Sequence, residues 1–153
     1  MAKLINAKQI DQGSLQKHFN LNERVSKTIV FCFPLVQDGY LGGLGKFDWD
    51  GNIENVDAFC AVTGMDDTVI DIQKIAEEDF IKNMDTWKSI FMPTAEVTIP
   101  AGNAVQDSSY ILSSMAVKKN DLFRVVFKHT GPVGHPIDNL RIRDLTVQIH
   151  INI

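Results

Sequence analysis

The stretch Leu145-Thr146-Val147-Gln148-Ile149-His150-Ile151-Asn152-Ile153 alternates apolar and polar residues without a fault. Leu145, Val147, Ile149, Ile151 and Ile153 fall on one face, and Thr146, Gln148, His150 and Asn152 on the other. Strand side chains point alternately to opposite sides, so a period of two predicts a strand with one buried face and one wet face. A slip of one residue would turn the whole apolar set into water, so its register is strongly specified. Such a strand predicts a compact β-sandwich or barrel, a class of fold that often binds rather than catalyses.

The bulk numbers agree with that class. A chain of 153 residues is expected to form one domain with a proper core. Its 44% hydrophobic and 22% charged residues are ordinary for a globular protein. A net charge of −4 argues against non-specific nucleic-acid binding, which needs Lys and Arg to neutralise phosphates. No segment approaches the length of a membrane span, so no membrane insertion is expected. The start, Met1-Ala-Lys-Leu-Ile-Asn6, lacks an apolar core and cleavage site, so no signal peptide is expected. Cys32 and Cys60 each sit inside an apolar run and are expected to be buried thiols of a reducing cytosol, with a disulfide between neighbouring strands as the alternative.

Residues 1–24 are polar and weakly periodic and read as an arm that gains order by docking. Runs rich in β-branched and aromatic residues follow at 27–36, 53–62, 68–75, 87–92, 96–99, 110–117, 122–129 and 140–153. Asp38-Gly39 and Gly42-Gly43-Leu44-Gly45 read as a mobile loop, and Asp50-Gly51 as a tight turn. Pro100-Ala101-Gly102, Lys119-Asn120-Asp121 and the stretch Gly131 to Pro136 punctuate the later strands. One stretch breaks the β rhythm: Ala76, Phe80, Met84 and Trp87 recur at helical spacing, predicting a short amphipathic helix over about 75–85. Short strands with Gly/Pro turns predict an all-β, two-sheet antiparallel jelly-roll sandwich over 25–153. An immunoglobulin-like sandwich is disfavoured, because Trp49, between Cys32 and Cys60, lies in a turn rather than on a strand.

The order of motifs carries a resemblance. Thr28-Ile-Val-Phe-Cys-Phe-Pro34 leads to the Gly-rich loop and Asp50-Gly51-Asn-Ile53; then come Val56-Asp-Ala-Phe-Cys-Ala-Val62 and Thr68-Val-Ile-Asp-Ile72. Trp87-Lys-Ser-Ile-Phe91, Val97-Thr-Ile-Pro-Ala-Gly102 and Val117-Lys-Lys-Asn-Asp-Leu-Phe-Arg-Val125 precede the final alternating strand. This succession resembles small jelly-roll virion proteins of tailed bacteriophages: trimeric head fibres, capsid decoration proteins and tail-fibre domains. The chain departs from that pattern twice. The stretch 75–85 stands where the family makes a tight turn, and Asn120 replaces a glycine, though Asn also tolerates a left-handed turn. The resemblance implies a non-enzymatic structural subunit without a cofactor, made in the host cytoplasm and built into the virion. It implies a homotrimer that projects from the particle, its arm anchored to the major capsid protein or another virion protein. Leu4, Ile5, Ile10, Leu15 and Phe19 are the candidate anchor.

Candidate chemistry is sparse. Ser113, Ser114 and His129 lie in no nucleophile-elbow motif, and His129 and His135 flank one loop without ligand-like clustering. His129, His135 and His150 read as solvated or hydrogen-bonded side chains and no metal site is expected, the alternative being that a trimer gathers three copies of His150 near its axis as a metal ring. Asp48-Trp49-Asp50-Gly51-Asn52 resembles only the start of a calcium loop, and Asp66-Asp67 and Glu77-Glu78 read as solvated charge. The glycines at 42–45 do not form a phosphate-binding motif. Tyr40, Phe47 and Trp49 surround the Gly-rich loop. They read either as a stacking surface for a host-surface glycan or as plugs for the sandwich end or a subunit interface. Thr146, Gln148, His150 and Asn152 are the candidate trimer contact, since amides and hydroxyls can pair across a symmetry axis.

Overall fold

The alternating C-terminal stretch forms β9 (Arg143–Asn152), which leaves the expected Ile153 outside the strand and exposed; β9 is hydrogen-bonded on both sides, to β1 (Ser26–Leu35) and to β3 (Gly51–Val62). This computed structural model describes residues 25–36, 41–129 and 141–153; the side chains of Leu41 and His129, the anchor candidates at Leu4, Ile5, Ile10, Leu15 and Phe19, and Tyr40 lie outside the described part. The other elements are β2 (Leu41–Lys46), β4 (Thr68–Ile75), α1 (Glu77–Ile81), β5 (Lys88–Ser89), β6 (Val97–Ile99), β7 (Ala116–Val117) and β8 (Leu122–His129).

The pairing is nested. First pairs with last, β1 with β9; then β2 with β8, β3 with β7, and β4 with both β5 and β6, all antiparallel. A long hairpin folded that way and then rolled brings β9 beside β3 and β8 beside β4. The result is two sheets, β1-β9-β3-β7 and β2-β8-β4-β5, with β6 on the same strand as β5. This is the jelly roll, and it packs its two sheets around a single core. The sheet containing β9 is sheet A and the other is sheet B.

The core follows from alternation. Phe31 and Phe33 of β1, Val56 and Ala58 of β3, and Leu145, Val147, Ile149 and Ile151 of β9 face inward from sheet A. Ile70 and Ile72 of β4 and Phe123, Val125 and Phe127 of β8 meet them from sheet B. Phe33 and Phe127 cross the gap edge to face, with ring centroids 4.9 Å apart.

Several sequence expectations are corrected. Gly42 to Gly45 belong to an edge strand, β2, rather than a mobile loop. The glycines are there because the chain runs against the inner side chains of β1. A Cβ on Gly43 would lie 2.5 Å from the Phe31 ring, and one on Gly45 would lie 3.0 Å from it. Gly43 also takes a left-handed φ of +68°, where the ladder shifts register. The run 87–92 shortens to β5 plus a bridge between Phe91 and Leu112, and the run 110–117 shortens to β7. The expected helix over 75–85 contracts to α1, with no buried residue. Asn83, at φ +54°, stops it: its N–H bonds the Phe80 carbonyl and the Met84 N–H bonds the Asp79 carbonyl, a left-handed C-terminal closure. Asn120 does adopt the left-handed turn expected of it, at φ +72°. Cys60 is buried, but Cys32 is exposed, because Phe31 and Phe33 on either side of it take the inward positions. Both thiols are free.

One charge is held inside sheet B. The Asp71 carboxylate, 1% exposed, accepts hydrogen bonds from Ser89 Oγ and Gln73 Nε2, with Lys128 Nζ at 3.7 Å. Lys128 also reaches the Glu96 carboxylate at 2.5 Å. Partial burial pulls the Glu96 carboxyl upward, but the hydrogen bond and charge of Lys128 win and hold it below its ordinary value of 4.5.

A depressed carboxyl stabilises the fold above its unfolded value and loses that effect as pH falls through the folded one. Glu96→Gln should therefore be less stable than the parent at neutral pH and equal to it in strong acid, as read from denaturant midpoints at each pH. Gly43→Ala should cost at least about 1–2 kcal/mol from the left-handed backbone alone, with the Phe31 contact adding to it; urea unfolding measures this.

Candidate functional site

The site builds outward from the polar face of β9. The ladders set side chains of three strands in rows across the outside of sheet A: Cys32, Thr146 and Phe59; then Val30, Gln148 and Asp57; then Thr28, His150 and Asn55. Phe59 is bridged in turn to Val105. The four predicted positions, Thr146, Gln148, His150 and Asn152, thus lie on one face in the middle of the sheet, each partly exposed.

His150 is held through both ring nitrogens. Nδ1 lies 3.1 Å from Thr28 Oγ1, and Nε2 lies 2.8 Å from Asp57 Oδ2. Asn55 Nδ2 donates to Asp57 Oδ1 at 3.1 Å, and the Tyr110 hydroxyl donates to Asn55 Oδ1 while accepting the Val56 N–H at 3.0 Å. One line of contacts therefore runs Thr28–His150–Asp57–Asn55–Tyr110 across the sheet. Hydroxyl, imidazole and carboxylate in series form the order of a proton relay. Here, however, β9 is laddered on both sides, so its own backbone leaves no donors around the ring to hold an oxyanion. The arrangement orients the imidazole and stiffens the face.

At the Tyr110 end a shallow cavity of about 560 Å³ opens, lined by Asn55, Asp57, Gln106, Tyr110 and neighbours. Gln106 Nε2 donates to the Val56 carbonyl at 2.7 Å, while its Oε1 is buried without a partner. Beside this polar line Val30, Phe59 and Val105 stay exposed, with Cys32 on the same face.

The predicted aromatics separate. Phe47 is 3% exposed and belongs to the core. Its N–H bonds the Asp121 carbonyl and its carbonyl accepts the Asn120 N–H, so the β7–β8 turn clamps it as a plug. Trp49 meets Phe47 edge-on at 5.6 Å and stays 45% exposed, with Lys27 Nζ 5.0 Å from its ring centroid. Of this pair only Trp49 presents a ring at the surface. Asp50 Oδ1, in the calcium-like stretch, accepts the Lys119 N–H at 2.9 Å and serves as a turn brace. Among the described residues no group of three or more His, Cys, Asp or Glu is placed to hold a metal. No helix of the described part is long and apolar enough to cross a membrane.

The sequence reading found the β9 side of this face and missed its partners. Asp57 stands on β3 between inward Val56 and Ala58, so period-two alternation alone would have turned it outward. Nothing local placed it beside His150; that requires the β3–β9 register. Comparison of the chain with protein-family models, with curated proteins and with solved structures finds no match in any of the three.

The two cysteines provide a check on this face. Burial pushes the Cys60 thiol above its ordinary value of 9.0. In the folded, dissociated chain a thiol-specific dye should therefore modify Cys32 promptly and Cys60 only after denaturant is added; two equally fast thiols would contradict the outward placement of the Cys32 row.

Proposed function

We propose that this chain is a structural, non-enzymatic subunit of a tailed-phage particle: a capsid-attached decoration or head-fibre jelly roll that trimerises and projects from the surface. The observation that carries the reading is the outer face of sheet A. There a fixed polar line from Thr28 to Tyr110 adjoins exposed Val30, Phe59 and Val105. Apolar side chains gathered on a flat face and rimmed by ordered polar groups favour contact with another protein surface. A three-fold contact joins two different parts of each subunit's surface head to tail, and the hydroxyls, amides and imidazole of this face supply both donors and acceptors for such a pairing. The order of strand motifs, resembling that of phage virion proteins, supplies the setting. Residues 1–24 would then anchor the subunit to the major capsid protein or another virion protein, with the virion as its final location. The reading calls on no nucleic acid, cofactor or membrane.

A second reading, a host-glycan receptor module, is favoured by the exposed ring of Trp49. It adds to the first if the projecting face meets the cell.

Light scattering should give a trimer mass, and the protein should be found in purified particles by labelled antibody. His150→Ala and Gln148→Ala, or a Phe59→Glu change, should shift the mass toward monomer with little change in thermal midpoint. A monomeric parent protein that is also absent from particles sinks the proposal. Trp49→Ala should leave the trimer intact and lower adsorption to host cells under the second reading; unchanged adsorption removes it.

A further inference from the structure

A second concavity lies between β4, β5 and the segments flanking β7. Its volume, about 570 Å³, is in the range of small-ligand sites. Its polar side chains divide into those already engaged and those left open. Ser89 Oγ donates to Asp71, and Thr86 Oγ1 donates to Asp79 at 3.0 Å. Lys74 Nζ donates to the Ala116 carbonyl and lies 3.4 Å from Asp121, which also accepts the Lys118 N–H at 2.9 Å. Both carboxylates of the lining are therefore engaged.

Four groups remain open. The ammonium groups of Lys88 and Lys118 and the hydroxyls of Ser113 and Ser114 have no partner among the described residues. The serines are not on a free loop: the N–H groups of Ser113 and Ser114 both point to the Ile90 carbonyl, at 2.8 and 3.4 Å. That ties the hydroxyl-bearing segment to the residue that follows β5, the strand that carries Lys88. With three lysines against two carboxylates, the lining favours an anion.

The chemistry of the open groups selects the ligand. Two ammonium groups ask for an anionic oxygen pair, such as a carboxylate, and two neighbouring hydroxyls ask for further oxygens on the same molecule. No aromatic side chain lines the cavity, which disfavours a flat aromatic ligand; Ala76 is the part-exposed apolar side chain of the lining, and Ile75 and Ile90 are buried behind it. We infer that this cavity binds an acidic saccharide, its carboxylate held by Lys88 and Lys118 and its ring hydroxyls by Ser113 and Ser114. The site stands on its own geometry and not on the assembly proposed above, so loss of either leaves the other standing.

The test titrates the full-length chain with glucuronic, galacturonic and N-acetylneuraminic acids, with glucose and inorganic phosphate as controls, and follows backbone amide shifts. At least one acidic sugar should give saturable shifts at Lys88, Ser113 and Ser114 that glucose does not, and added salt should weaken them. Lys88→Gln and Lys118→Gln should each lower affinity about tenfold, one charge-assisted hydrogen bond apiece. Ser113→Ala should lower it with the salt dependence intact. Both lysines are exposed, so the variants should keep the parent's dispersed spectrum. Phosphate matching every acidic sugar would overturn the inference in favour of a bare anion site. An absence of saturable shifts with all three acids, or full affinity in the Lys88→Gln/Lys118→Gln double variant, would overturn it outright.

Discussion

Two ladders share one strand, and the rest of the molecule depends on that sharing. β1 and β3 never pair with each other; β9 stands between them and bonds both. Its inward residues Leu145, Val147, Ile149 and Ile151 are fully buried against sheet B. At about 2 kcal/mol for each aliphatic side chain removed from water, these four contribute an amount comparable to the net stability of a domain, roughly 5–15 kcal/mol. Loss of β9 would therefore part sheet A along its middle and uncover the core together.

The same strand places the candidate contact face. Because β9 is central, its outward residues cannot fray or turn away as those of an edge strand can. His150 is fixed between a hydroxyl of β1 and a carboxylate of β3, and the line continues through Asn55 to Tyr110, which itself packs edge-on against Phe91 at 5.8 Å. Fixing polar groups in the folded monomer lowers the ordering cost of any later contact there. Rigidity on the outside is thus a by-product of the ladder on the inside.

What could be read from sequence follows physical range. β3, β4, β8 and β9 announce themselves because alternation or β-branched content is local, and Asn120 announces its turn because left-handed backbone tolerates few residues. β2 hides because its glycines mimic a loop. They answer to the Phe31 ring, which is supplied by another strand and invisible in the local pattern. Cys32 reads as buried in the sequence because a run of apolar residues conceals its own alternation when Phe31 and Phe33 flank it. The outer face was half legible: Thr146, Gln148, His150 and Asn152 from the pattern, but Thr28, Asp57 and Tyr110 only from the register. The open groups of the lysine–serine cavity come from β5 and the segments around β7, short pieces with no strong local signal.

The nested pairing also shapes how the chain reaches its folded state. Thr28 and His150, neighbours in the sheet, are 122 positions apart in sequence. Bringing such ends together costs chain entropy before any contact offsets it, and β folds dominated by distant contacts fold in roughly milliseconds to seconds. Until β9 arrives, the facing edges of β1 and β3 stand open with alternating apolar side chains, ready to accept a foreign strand. The molecule therefore has a slow and exposed interval in its history, during which dilution or a chaperone would favour its own last strand over a neighbour's.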